Sequence, residues 1–381
     1  MNWSTDSLSL MHGNCRTIMI HKNAHYPALD GARGIAAISV FLYHISDYFG
    51  GLQFLQGSFL AVDLFFLMSG FVIALSYERS LISGTRSFRS FVWARALRLY
   101  PLYLMACGIG FTYFLVKYLT GSDDAPSMLQ LSEAIPATIL LAPWAPAAEW
   151  GFTPYPFAPS AWSLSFEFWY NILYALLAIR LGTKVLLGVS AISLAILIHQ
   201  SLQWFSIDMG WSIATMLGGS ARFWFSFSVG ILIFRHQVKN MSSNKAFLSL
   251  SMLCFAFVAI PRDALWLGIL WIAAVFPMAL FFGGAYQITG LSSKLCNHLG
   301  RLSYGIYILH APIVLFQTGI FKVFLGDRWA DHKSLIGISI IASVLLLSWI
   351  CTYYIDEPLR KYLKKRPIKR SDSTIPPVLP V

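Results

Sequence analysis

The sequence predicts an all-α, polytopic integral membrane protein of about ten transmembrane helices with both termini in the cytoplasm. Three observations carry this. Of 381 residues, 57% are hydrophobic and only 12% charged, about half the charged share of soluble domains. The apolar residues collect into runs long enough to cross about 30 Å of hydrocarbon. The basic residues behind the net charge of +11 sit in short clusters between those runs, as membrane topology places them, which argues against nucleic-acid binding.

The runs lie near 28–48, 58–77, 99–118, 160–179, 185–203, 217–234, 246–260, 264–286, 299–321 and 334–355. A shorter stretch at 134–147 is broken by Pro136, Pro143 and Pro146 and suits a re-entrant or interfacial piece. Charge tests that choice. With ten spans and the amino terminus inside, only Lys117, Arg222, Arg262, Lys322, Arg328 and Lys333 fall outside; an eleventh crossing at 134–147 would move about half of the cations there. Residues 1–27 show no secretory signal and read as a cytoplasmic tail, with Met11 and Met19 as alternative starts. Residues 28–356 form one membrane domain, and 357–381 a basic tail that anionic headgroups attract. The five cysteines (Cys15, Cys107, Cys254, Cys296, Cys351) form no Cys-x-x-Cys pair, so neither a disulfide framework nor a metal site is expected.

Span one, LDGARGIAAISVFLYH, holds Arg33 and His44. Eleven helical steps return to within about 20° of the start, so the two share a face about 16 Å apart. A cation and a group that titrates near neutrality are costly in a bilayer and mark a candidate site. Snorkelling of Arg33 and a satisfied interior role for His44 are the alternatives.

In span two, AVDLFFLMSGF places Asp63 where it could orient His44, or else make a purely structural interhelical bond. The loop 78–98 carries Arg79, Arg86, Arg89, Arg95 and Arg98. Topology alone makes such loops basic, but Arg95 and Arg98 at i, i+3 face one way and suit phosphate oxygens. Span four opens PSAWSLSFEFWYN, with Ser163 and Glu167 on one face and Trp162 and Trp169 nearby, the tryptophans also suiting an interfacial belt. Arg222 in span six is the expected partner of Glu167 at similar depth. Span nine lines Tyr304, Tyr307 and His310 along one stripe with Ser303, as a hydrogen-bonding spine or a substrate path. YIDEPLRKY closes the last span as a structural cap. No G-x-S-x-G, H-E-x-x-H, Walker or G-x-G-x-x-G pattern occurs, so serine-hydrolase, zincin and nucleotide-hydrolysing chemistries lose support.

Taken together, LDGARGIAAISVFLYH, AVDLFFLMSGF, FVWARALRLYPLY, WSLSFEFWY, LGRLSYGIYILHAP and YIDEP resemble the membrane-bound acyltransferase 3 family in order and spacing over roughly residues 26–360. The resemblance implies transfer of an acyl group, usually acetyl, from cytoplasmic acyl-CoA to a hydroxyl of a surface or exported glycan. It makes His44 and Arg33 the essential pair, Arg95 and Arg98 the second basic motif, and Glu167 the acidic position. Two departures stand out. Ala61 replaces a frequent glycine, and no appended esterase-like domain, of the kind some members carry, is expected after the last span.

The expected mechanism binds acetyl-CoA phosphates at Arg95 and Arg98, with Arg89 and Tyr100 alongside, and runs the pantetheine arm past Arg33. His44 acts as general base, with Asp47 or Asp63 fixing its tautomer, or as an acyl-histidine nucleophile. Trp162, Ser163, Arg222, Tyr304 and His310 are the acceptor-binding candidates, and Glu167 positions the sugar. Expected partners are the lipid bilayer, a carbohydrate or lipid-linked glycan, and a polysaccharide export or biosynthesis protein; the expected site is a bacterial-type inner membrane. A transporter, flippase or glycan polymerase is the competing class, for which inverted repeats and paired broken helices are not evident.

Overall fold

Long apolar sequences with few charges satisfy their backbone groups internally, and the chain accordingly folds into helices. The structure, a computed structural model, describes residues 26–51, 53–150, 153–236, 260–283 and 290–364. Among these, no strand occurs. The helices are α1 (Pro27–His44), α2 (Ala61–Ile73), α3 (Arg79–Ile82), α4 (Phe88–Leu119), α5 (Met128–Ile139), α6 (Ala161–Leu177), α7 (Thr183–Trp204), α8 (Met216–His236), α9 (Leu265–Leu270), α10 (Phe276–Gly283), α11 (Gly290–Leu325), α12 (Lys333–Ile350) and α13 (Glu357–Lys364).

Among the described residues, 6 helical stretches are long and apolar enough to cross a membrane: Leu55–Ile82, Phe88–Leu119, Thr183–Trp204, Ile213–His236, Leu265–Phe282 and Gly290–Leu363. The protein is therefore a membrane protein. The difference from the expected ten has identifiable sources. Gly290–Leu363 takes in two of the predicted runs as one continuous helical stretch. The runs at 28–48 and 160–179 form α1 and α6, but α1 carries Asp30 and Arg33 and α6 has 17 residues. The run at 246–260 lies, but for Ile260, outside the described residues, as do most of the first tail and residues 365–381 of the second. At 134–147 the chain forms the 12-residue α5, about 18 Å long and too short to span, followed by a turn at Ala145–Trp150.

Small residues let these helices approach closely. On α1, Gly31 and Gly34 face Cys296 and Leu299 of α11, and Gly300 of α11 faces Asp30 in return. A methyl group at Gly70 of α2 would collide with the Phe227 carbonyl of α8, and one at Gly230 of α8 with the Leu67 carbonyl of α2. Those two contacts fix α2 against α8 from both sides. The aromatic rings of Phe66, Tyr170, Phe223 and Phe227 fill the space between α2, α6 and α8.

Two departures from regular helix matter for the site. The long α4 begins at Phe88, well before the apolar run at 99, because Ser87 caps it by accepting from the Ser90 amide at 3.3 Å. Arg95 and Arg98 therefore stand inside a helix rather than in a loop. Past Ile73, α2 continues as a π turn (Ala74–Glu78), which delivers Glu78 into the interior. There Glu78 accepts from Arg235 of α8 and from the Tyr174 hydroxyl of α6.

Candidate active site

Five helices line a cleft with about 720 Å³ of empty space. Its charged wall is made by Arg33 of α1, Arg95 and Arg98 of α4 and Glu167 of α6. Three guanidinium groups against one carboxylate give the cleft a positive balance suited to anions. The rest of the wall is mixed. Ser69 of α2, Ser163 of α6 and Ser303, Tyr304 and Tyr307 of α11 supply hydroxyls, while Phe65, Phe66, Val72, Ile73, Leu99 and Leu164 supply apolar surface.

Within this wall Arg95 Nη2 donates to Glu167 Oε1 at 2.5 Å, and the Ser69 hydroxyl donates to the same oxygen at 3.1 Å. Arg95 is buried, and its Nε has no hydrogen-bond partner. Arg33 Nη1 stands 3.5 Å from Asp30 Oδ1 in a half-buried i, i+3 pair. Among the described residues, Arg98 carries no hydrogen bond or salt bridge. Donors are thus left over for a bound molecule.

At one end of the cleft the Tyr307 hydroxyl meets Ser163 Oγ at 2.6 Å. Next along α11 is His310, wholly buried, its ring 6.1 Å from that of Tyr307 and 5.0 Å from that of His44. Its Nε2 lies 3.4 Å from Ser160 Oγ and its Nδ1 3.2 Å from the Ile306 carbonyl. His44 ends α1 with its side chain exposed, and its Nδ1 lies 2.8 Å from the Val40 carbonyl. A carbonyl can only accept, so that bond places a proton on Nδ1 and leaves the lone pair of neutral His44 on Nε2.

Several sequence expectations change here. Asp63 does not orient His44. Both its oxygens accept from Arg222, at 3.0 and 3.3 Å from Nε and 2.6 Å from Nη2, and the helix's own carbonyl fixes the His44 tautomer instead. Asp47 is exposed and makes no hydrogen bond to His44. The partners of the two acidic residues are exchanged. Glu167 pairs with Arg95 rather than Arg222, because Arg95 sits two turns inside α4 and reaches α6. Arg222 is buried against Asp63 and gives its other donors to the Met209 and Phe59 carbonyls. Trp162 packs under the Arg222 guanidinium, 5.7 Å away, and is not on the cleft wall. Arg89 is exposed, and Tyr100 packs on Tyr103 and Phe168; neither lines the cleft. Arg33, Arg95, Arg98, Glu167, Ser163 and Tyr304 do come together there, while His44 and His310 stand just beyond Tyr307.

Sequence reasoning passed over Glu78 and Tyr307's bond to Ser163; a carboxylate in the last turns of an apolar run was the available signal for the first. No group of His, Cys, Asp and Glu among the described residues could hold a metal ion.

Fold and site together define a helical membrane protein with an interior cleft walled by three arginines and one glutamate. The chain matches the acyltransferase 3 family, described as an acyltransferase domain, over residues 26–353, and it belongs to that family. It is 35% identical over 176 residues to protein 2 of the picA locus of Rhizobium radiobacter, covering 44% of this chain and 91% of that one. A Staphylococcus aureus protein provisionally named an O-acetyltransferase is 25% identical over 374 residues, which is 89% of this chain and 58% of the relative. A Bacillus subtilis protein provisionally named a peptidoglycan O-acetyltransferase is 24% identical over 384 residues, 90% of this chain and 56% of the relative. The chain thus spans little more than half the length of those two relatives. No solved structure matches it.

Proposed function

We propose that this chain is a membrane-embedded O-acyltransferase, which takes an acetyl group from acetyl-CoA and passes it to a hydroxyl of a carbohydrate. The observation that carries the reading is the cleft wall, where Arg33, Arg95 and Arg98 face one cavity with donors to spare. Coenzyme A offers phosphate oxygens that such forks bind bidentately. The name of the staphylococcal relative supports O-acetyl transfer, and that of the bacillar relative a carbohydrate acceptor, peptidoglycan.

In this reading the phosphates dock on Arg95 and Arg98, and Glu167 holds the Arg95 fork in place. The pantetheine arm passes Arg33 and the tyrosines of α11 toward His44. His44 Nε2 takes the proton of the acceptor hydroxyl as its oxygen attacks the thioester carbonyl. The carbon–sulfur bond breaks, the ester forms on the sugar, and the proton ends on the departing thiolate. His310 lies between His44 and the Tyr307–Ser163 pair, where it can relay that proton back toward the cleft. His44 is not on the cleft wall, so in this reading the thioester reaches it by passing Tyr307, which lines the cleft beside His310. An acyl group carried briefly on His44 gives the same products by two displacements.

The full arrangement in this reading is ten spans in a bacterial inner membrane, with both termini and the basic second tail on the cytoplasmic side, where acetyl-CoA is available. The competing reading is a transporter or flippase of glycan intermediates, which requires no acetyl-CoA affinity. Purified His44→Ala and Arg33→Ala chains, checked for an unchanged melting profile, test the assignment. Both are expected to lose acetyl transfer by at least about a hundredfold, in the range of general-base loss. Full activity in either variant contradicts it.

A further inference from the structure

At the His44 end of the bundle, three segments remote in sequence converge on one spot. Asp208 stands in the turn after α7, Arg262 in the turn before α9, and Gln56 in the turn that leads into α2. Arg262 Nη2 donates to Asp208 Oδ2 at 2.9 Å, and the Arg262 amide donates to Gln56 Oε1 at 3.4 Å. Trp211 donates its indole N–H to the Asp208 carbonyl, three residues back in the same turn, at 3.0 Å and leaves its side chain exposed.

This group borders the reactive histidine. The charges of Asp208 and Arg262 both act on His44, and Tyr43, packed edge-on against His44 at 5.4 Å, lies within hydrogen-bonding reach of Arg262. Folding does not account for it, because the Arg262 side chain is 53% exposed and exposed ion pairs add little to stability. A belt tryptophan would turn its N–H to the headgroups, whereas Trp211 turns it to the protein. The acyl-CoA cleft uses none of these residues.

We propose that Asp208, Arg262 and Trp211 form the acceptor subsite, which holds a neutral sugar so that one hydroxyl meets His44 Nε2. The Asp208 carboxylate accepts from a sugar hydroxyl, and the Arg262 guanidinium donates to a ring or hydroxyl oxygen. The exposed indole covers the C–H face of the pyranose. Because the pair is neutral as a whole, a neutral hexose or N-acetylhexosamine fits better than a uronic acid or a phosphosugar. The assignment rests on the acyl-transfer reading for its purpose, but its binding chemistry stands apart from the donor cleft.

The test uses the full chain in lipid nanodiscs and saturation-transfer NMR with chitotetraose as the probe. The native chain is expected to bind it. Arg262→Gln, Asp208→Asn and Trp211→Leu are each expected to weaken binding about tenfold or more, with acetyl-CoA affinity unchanged, which also reports that each variant is folded. Absence of chitotetraose binding by the native chain, or binding unaffected by all three substitutions, overturns the subsite. Tighter binding of tetragalacturonic acid than of chitotetraose overturns its neutral character. Sugar binding that depends on these residues in a chain with no acetyl-CoA affinity would retain the subsite and remove the acyl-transfer reading.

Discussion

Two of the arginine–carboxylate pairs inside this bundle, Arg222–Asp63 and Arg95–Glu167, are satisfied to very different degrees. Arg222 is fully buried against Asp63, and all three of its nitrogens are engaged, by that carboxylate and by the Phe59 and Met209 carbonyls. Arg95 is nearly as buried against Glu167, yet a single nitrogen is engaged, its Nε is unpaired, and it borders an open cleft. Identical chemistry thus serves two ends. A completed pair ties α2, α8 and the turn after α7 together. An incomplete one keeps hydrogen-bonding capacity for a molecule that arrives later.

The contrast can be broken most severely at the completed pair. Arg222→Ala or Asp63→Ala strands a buried charge, which costs about 3–5 kcal/mol, and is expected to abolish recovery of folded protein from detergent extracts. The double variant Arg222→Met/Asp63→Leu, which removes both charges, should recover a large part of the lost yield. At the cleft the expected loss is of ligand rather than fold. Arg95→Gln and Arg98→Gln should each melt within a few degrees of the native chain and bind acetyl-CoA about tenfold more weakly, or about 1.4 kcal/mol, by calorimetric titration. Glu167→Gln should raise the KM for acetyl-CoA by less than the tenfold loss at Arg95 and leave kcat nearly unchanged, since Arg95 stays charged but loses the carboxylate that orients its fork.

The smallest effect is expected at a third kind of pair, Lys117 with Asp124, whose carboxylate side chain is 79% exposed. Its hydrogen bond from Lys117 holds the Asp124 carboxyl below the usual range. A depressed carboxylate contributes above its unfolded pKa and loses that contribution as the pH falls through the folded value. Here the contribution is small, so Lys117→Ala should neither shift the melting profile measurably at neutral pH nor change how that profile responds to acidification through the carboxylate range.

Much of the helical layout was legible because each apolar run outside 246–260 overlaps a described helix. Length and hydropathy carry that signal, and they act locally. The cleft was legible in part, since Arg33, Arg95, Arg98, Ser163, Glu167 and Tyr304 all line it. The pairing of acids with arginines was not. The sequence suggested depth from distance to a run's end, but Ser87 starts α4 eleven residues early and carries Arg95 up to Glu167. Arg222 and Asp63 meet because Gly70 and Gly230 draw α2 onto α8, a lateral contact that no single run contains. The tautomer of His44 was assigned to a carboxylate when its own helix carbonyl supplies the bond.

The central claim is that the arginine-walled cleft is an acyl-CoA site, and equilibrium binding of radiolabelled acetyl-CoA to the purified native chain and to the Arg95→Gln/Arg98→Gln double variant tests it most directly. The account predicts saturable binding by the native chain, weakened about a hundredfold in a variant that still folds. Equal binding by both chains, or none by the native one, would contradict it.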